Sequence, residues 1–283
     1  MNRRKFIKST AGLSLMGLTG MSGLLSGCAE APIKNINNIG LQLYTVRDKM
    51  TENVESTIAE VAITGYKEVE FAGYFGRSAV QIKSTLDQNG LTSPSVHIDT
   101  VDLDVEIMKS VIANAVTIGH KYVVLGWIPS EGRERLDQYK VLIEQLNVAG
   151  EMCKSAGLQL AYHNHDFEFF DLEGVKPYDL LLSEISADMM KMELDLYWIM
   201  VAKHDPFTYF DQYPGRFPLC HIKDMGADGS IVDVGDGSID FNRIFTQREK
   251  AGFEHYYVER DNPTDSYETI RKSIESARKI QLG

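Results

Sequence analysis

Cysteine is scarce in this chain. Cys28, Cys153 and Cys220 are the only three in 283 residues, too few for a disulfide framework. Cys153 falls in a helical pattern and Cys220 in an apolar strand pattern, so both read as buried thiols rather than a bridge. Basic residues are also short, with 29 Lys and Arg against 40 Asp and Glu, a formal net charge of −11. A surface this acidic repels phosphate backbones and argues against nucleic acid as a partner. The apolar stretch 11–25 is broken by glycines and too short for a membrane span. No low-complexity linker divides the chain. No Gly-rich phosphate loop follows the first predicted strand, where Tyr44-Thr45-Val46-Arg47-Asp48 stands instead. That absence speaks against a doubly wound nucleotide-binding sheet.

What is present begins with an address. Asn2-Arg3-Arg4-Lys5-Phe6-Ile7-Lys8 resembles a twin-arginine export signal, and Leu25-Ser26-Gly27-Cys28 resembles a bacterial lipobox. The pattern predicts a signal region over 1–28, lipid attachment at Cys28, and a tether over 29–38. The mature protein is then expected to be exported and held in the bacterial cell envelope by that lipid alone. Removing residues 1–27 deletes four basic residues and no acid, taking the formal charge from −11 to −15.

From residue 39 to 283 the chain alternates short apolar runs with amphipathic stretches. Strands are predicted over 39–44, 68–71, 93–98, 122–126, 159–163, 190–195, 218–222 and 255–259. Helices are predicted over 54–64, 79–89, 105–118 and 138–156, several closed by a glycine: Gly65, Gly90, Gly119 and Gly157. Eight strands separated by helices predict a single α/β domain, a (β/α)8 TIM barrel.

Polar groups sit at the carboxyl ends of these strands, where barrels of this kind carry their chemistry. Asp195 ends the sixth strand, His221 lies in the seventh and Glu259 ends the eighth. A buried glutamate without a partner costs several kcal/mol, on the order of what shifts its pKa, and a shared cation removes that cost. Carboxylate oxygen with imidazole nitrogen suits one divalent ion such as Mn, Zn, Co or Mg. The fourth ligand lies at strand five, in Tyr162-His163-Asn164-His165-Asp166-Phe167-Glu168. Glu168 is the favoured choice because it leaves His163 and His165 for proton transfer; His163 as the ligand is the alternative. Lys223 shares the face of His221 and is placed to steady a developing oxyanion. Glu70, His97 and Trp127 end or follow strands two, three and four and are expected to contact substrate. The glycine-flanked loop Gly235-Asp236-Gly237 is either a substrate contact or a plain turn.

These residues make the chain resemble the sugar phosphate isomerase/epimerase family, the xylose-isomerase-like barrels. The motifs are Tyr-His-Asn-His-Asp-x-Glu-Phe at 162–169, His-Ile-Lys-Asp at 221–224, Gly-Asp-Gly at 235–237 and Val-Glu-Arg-Asp at 258–261. The resemblance implies one divalent ion held by two glutamates, an aspartate and a histidine, onto which Asp195, His221 and Glu259 map directly. Arg260, inside the last motif, is expected at the substrate. Many relatives carry a glutamate on strand five where this chain has His163. The implied activity is that of an isomerase, epimerase or lyase/dehydratase. Its substrate is expected to be a non-phosphorylated keto sugar, a 3-keto glycoside or a cyclitol, since no phosphate-binding cluster is evident. An inactive sugar-binding lipoprotein on the same barrel is the alternative.

Overall fold

Eight parallel strands close into a ring in chain order, and their last residues carry the site. The computed structural model describes residues 34–282; the twin-arginine pattern and Cys28 lie outside the described residues. The strands are β1 (Ile39–Gln42), β2 (Glu68–Ala72), β3 (Thr92–Asp99), β4 (Tyr122–Trp127), β5 (Gln159–His163), β6 (Met190–Asp195), β7 (Leu219–Ile222) and β8 (His255–Val258). Closure comes from β8 pairing with both β7 and β1. At that seam Gly40 is required, because a Cβ there would lie 2.4 Å from the ring of Tyr257.

The helices between strands follow local capping chemistry. Val54–Thr64 starts where the Asn53 side chain accepts from the Ser56 amide, and it stops at Gly65 with φ 108°. Ala79–Asn89 opens on a Ser78/Gln81 capping box and stops at Gly90. Val105–Ile118 is capped by Asp104 and closed by Gly119. These three helices run over the spans the sequence predicts. The fourth is Leu136–Ser155, shifted one to two residues towards the N-terminus of the predicted span.

The main hydrophobic core fills the layer between barrel and helices. Inside the barrel a smaller apolar cluster joins Tyr122, Val124, Ala161, Leu219 and Tyr257. Two-residue alternation then puts His97, His163, Glu193 and His221 on the same inward face, one step nearer the carboxyl ends. The predicted tether does not run free to residue 38. Lys34–Asn35 pairs antiparallel with Gln281–Leu282, and Ile36 is buried. The described residues, 34–282, make one compact unit. Among the described residues no helix is long and apolar enough to cross a membrane.

Candidate metal centre and active site

The ends of β5, β6, β7 and β8 bring His163, Asp195, His221 and Glu259 together, with one ligand atom from each lying within 4.8 Å of the others. All four side chains are buried. His221 Nδ1 lies 2.8 Å from Glu259 Oε2 and 3.9 Å from Asp195 Oδ2. Asp195 uses Oδ1 to cap the next helix, accepting from the Trp198 amide at 2.9 Å. The neighbouring Asn164 holds the Asp195 backbone, accepting from its N–H at 3.1 Å. Oδ2 of Asp195 and Nδ1 of His163 are buried and make no hydrogen bond, with only an ionic neighbour each, Lys223 Nζ and Glu193 Oε2, both at 3.1 Å. Buried polar atoms so poorly satisfied are costly in a dry interior. Two imidazoles and two carboxylates converging on one point form a donor set that fits a borderline divalent ion.

Electrostatics at the rim turn on one lysine. Lys223 Nζ lies 3.1 Å from Asp195, 2.8 Å from Glu259 and 2.7 Å from Asp261. Burial works against its charge, but the three carboxylates outweigh that and hold its pKa well above the ordinary lysine value. Burial raises Asp195 to about 6 despite Lys223 and His221. Burial also pushes Glu259 upward, yet Lys223 and His221 prevail and hold it below the usual carboxylate range.

The other predicted residues divide. Glu168 is buried but is not brought into the cluster. Its Oε1 accepts from the Tyr162 hydroxyl at 2.8 Å and its Oε2 accepts from the His165 amide at 2.9 Å. Burial raises Glu168 to about 8. The chain bends after His163, so Glu168 braces the bend while His163 stays on the barrel face. His165 lines the cavity with Nδ1 unpartnered, and burial lowers it to about 3. His97 and Trp127 line the cavity, whereas Glu70 does not. Glu70 lies within the barrel, accepting from Gln42 at 2.7 Å and Ser95 at 2.5 Å, with His221 Nε2 at 2.7 Å. Arg260 is a correction too. With Glu259 and Asp261 facing inward, alternation turns Arg260 out to pair with Asp233. The loop 235–237 is a turn, clamped because Asp224 accepts from the amides of Gly235 and Gly237.

The cavity above the cluster holds about 670 Å³, within the common range for small-molecule sites. Its aromatic side is built from Trp127, Phe167 and Trp198. Arg133 lies over the Phe167 ring at 3.4 Å and over Trp127 at 4.7 Å. Sequence reasoning passed over Glu193, Asp261 and Arg133. For Glu193 and Asp261 the signal was present, since each shares parity with the ligand two residues away. Arg133 sits in an irregular loop where no periodicity could place it.

Known proteins resemble this chain over most of its length. An inosose dehydratase from Clostridium beijerinckii is 22% identical over 241 residues, covering 72% of this chain and 80% of that enzyme. The crystal structure of a sugar phosphate isomerase/epimerase from Parabacteroides distasonis superposes with a TM-score of 0.74 at 26% identity. It covers 88% of this chain and 96% of its own. The IOLI protein, whose structure holds a zinc atom, superposes with a TM-score of 0.64 at 15% identity, covering 84% and 96%, which shows the shared fold. The xylose isomerase-like TIM barrel family matches residues 58–280, and the chain belongs to that family.

Proposed function

We propose that this protein is a divalent-metal-dependent isomerase, epimerase or dehydratase. Its substrate is a non-phosphorylated keto sugar, 3-keto glycoside or cyclitol. The observation that carries the reading is the buried cluster of His163, Asp195, His221 and Glu259 at the floor of the cavity. In this reading His163 takes the fourth ligand position, because both oxygens of Glu168 are engaged elsewhere. A bound divalent ion supplies Lewis-acid polarisation of a carbonyl and its adjacent hydroxyl, which acidifies the carbon-bound proton between them.

The chain's own residues supply the rest. His165 lines the cavity with Nδ1 unpartnered, and that position makes it the candidate to move the proton; burial keeps it neutral near pH 7 at the cost of basicity. Lys223, kept cationic by three carboxylates, is placed to donate to an oxygen that gains negative charge. Trp127 offers an apolar ring to a sugar, and Phe167, covered by Arg133 and stacked with His165, helps exclude water. Phosphorylated substrates fit poorly, since the cavity wall carries five carboxylates, Asp99, Asp102, Asp166, Glu259 and Asp261, against Lys223 and Arg133. Relatives named for inosose dehydratase and sugar isomerase/epimerase activity support the class. We also place the protein in the cell envelope, anchored through Cys28, on the strength of Arg3-Arg4 and Leu25-Ser26-Gly27-Cys28.

The test is hydrogen exchange. The metal-loaded protein, incubated in heavy water with a 3-keto glucoside or an inosose, should place deuterium beside the ketone, read by mass spectrometry. Asp195→Asn should lose both the ion and the uptake. A bound ion without uptake from any keto sugar would overturn the catalytic reading in favour of a sugar-binding barrel.

A further inference from the structure

A second group of ligand-type side chains lies on the inner side of His221. His97, His163, Glu193 and His221 bring one ligand atom each within 4.8 Å of one another. Glu193 Oε2 is the focus, 2.6 Å from His97 Nε2, 3.1 Å from His163 Nδ1 and 3.2 Å from His221 Nε2. Glu70 Oε2 adds a further oxygen, 2.7 Å from His221 Nε2 and 3.1 Å from His97 Nε2. Glu193 is 0% exposed, and its Oε1 has no hydrogen-bond partner. Ligand atoms bound at 2.0–2.1 Å in a tetrahedron lie about 3.4 Å from one another, so a cation would replace the 2.6 Å contact of His97 with Glu193 and open the group by less than about 1 Å.

His221 separates the two groups. Its Nδ1 faces Asp195 and Glu259, and its Nε2 faces Glu70 and Glu193. The rings of His97 and His221 stack within 3° of parallel, with centroids 5.6 Å apart. Gly126 makes that stack possible, because a Cβ there would lie 2.5 Å from His97 Nδ1.

We propose that His97, Glu193 and the Nε2 edge of His221 form a second divalent-metal site, deeper in the barrel than the first, with Glu70, held by Gln42 and Ser95, beside it. The imidazole content selects zinc or a metal of similar softness. Charge supports two ions. Glu70, Glu193, Asp195, Glu259 and Asp261 surround the single cation Lys223, leaving four negative charges when the imidazoles are neutral. One divalent ion leaves two of those charges; a second, reached through the other nitrogen of His221, requires that ring to release its proton as an imidazolate, so two ions leave a single negative charge. One ion with two imidazolium protons would balance the same charge, and metal stoichiometry separates the two arrangements.

The experiment uses the full folded chain equilibrated with zinc chloride, dialysed, and assayed for metal by mass spectrometry. Anomalous scattering at the zinc edge then locates the ions in wild-type crystals. Two zinc ions per wild-type chain are expected, falling to one in His97→Gln, in Glu193→Gln and in Asp195→Asn. One anomalous peak should touch His97 and Glu193, a reading that needs no variant to fold. One ion per wild-type chain, lost in Asp195→Asn but kept in both inner variants, would overturn this proposal and leave the functional reading standing. One ion kept in Asp195→Asn but lost in His97→Gln would uphold the inner site and sink the outer one. A wild-type chain that binds no zinc would overturn both.

Discussion

Replacing His163 and Glu168 separately decides which side chain at the end of β5 belongs to the outer metal site. His163 shares the cluster with Asp195, His221 and Glu259, whereas Glu168 braces the bend from Tyr162 to His165. Removing a partner that only orients a ligand costs about 10–100-fold in metal affinity. His163→Ala removes a direct ligand and should therefore exceed about 100-fold, some 2.7 kcal/mol at 1.36 kcal/mol per decade. Glu168→Gln should change affinity by less than about tenfold, because it keeps an acceptor oxygen for the brace. The assay is calorimetric titration of manganese or zinc into each folded variant at neutral pH. Glu168 carries a second signature. Its folded pKa of about 8 lies above its ordinary value of 4.5, so the protonated form favours the fold. Stability from that proton is fully present below the ordinary value and is lost as pH rises through about 8. The slope reaches at most about 1.4 kcal/mol per pH unit, and Glu168→Gln should flatten it in denaturant melts. If Glu168→Gln loses the ion while His163→Ala keeps it, the ligand assignment is reversed.

Gly126→Ala should push on the His97 ring and cost about 1–3 kcal/mol, the usual penalty for overpacking; an unchanged melting temperature would show that the ring yields freely. Trp127→Ala should raise KM for the keto sugar while Arg260→Ala leaves it alone and instead lowers stability by about 0.5–1.5 kcal/mol, since Asp233 loses its ion pair but keeps Thr269 and Lys272. A KM effect confined to Arg260→Ala would contradict the alternation along β8. Cys28→Ala should abolish labelling by a radioactive fatty acid, and Arg3→Lys with Arg4→Lys should leave precursor in the cytoplasm; unchanged labelling in the first variant would make the lipobox pattern incidental.

The ring of strands was legible because each is a short apolar run ended by a polar group, and the helices because glycine follows three of them. Gly65, Gly90 and Gly119 take left-handed backbone where Val54–Thr64, Ala79–Asn89 and Val105–Ile118 stop. Asp195, His221 and Glu259 were legible from position alone, and the structure brings them together. Glu193 was hidden by its better-placed neighbour: both face inward from β6, but only Asp195 stands at the strand end. Glu168 was favoured for its chemistry, which left His163 and His165 for proton transfer, and the 3₁₀ turn Phe167–Phe169 after β5 turns its side chain to Tyr162 and the His165 amide instead. Arg260 misled because its motif suggested proximity that its parity denies. Arg133 reaches the cavity from an irregular loop, where conformation depends on distant packing rather than on neighbours in sequence.

The short ladder that joins Lys34–Asn35 to Gln281–Leu282 makes the barrel a circle in chain terms as well as in shape. Lys34 stands opposite Leu282, so the two ends of the described chain are hydrogen-bond neighbours. Domains whose ends lie this close tolerate being joined there and reopened elsewhere. A circularly permuted chain, linked across that ladder and cut in an exposed loop such as the one at Gly174, would synthesise β6, β7 and β8 before β1. It would keep every strand neighbour it now has. The order in which the ligand-bearing strands are made is thus independent of the place where they meet.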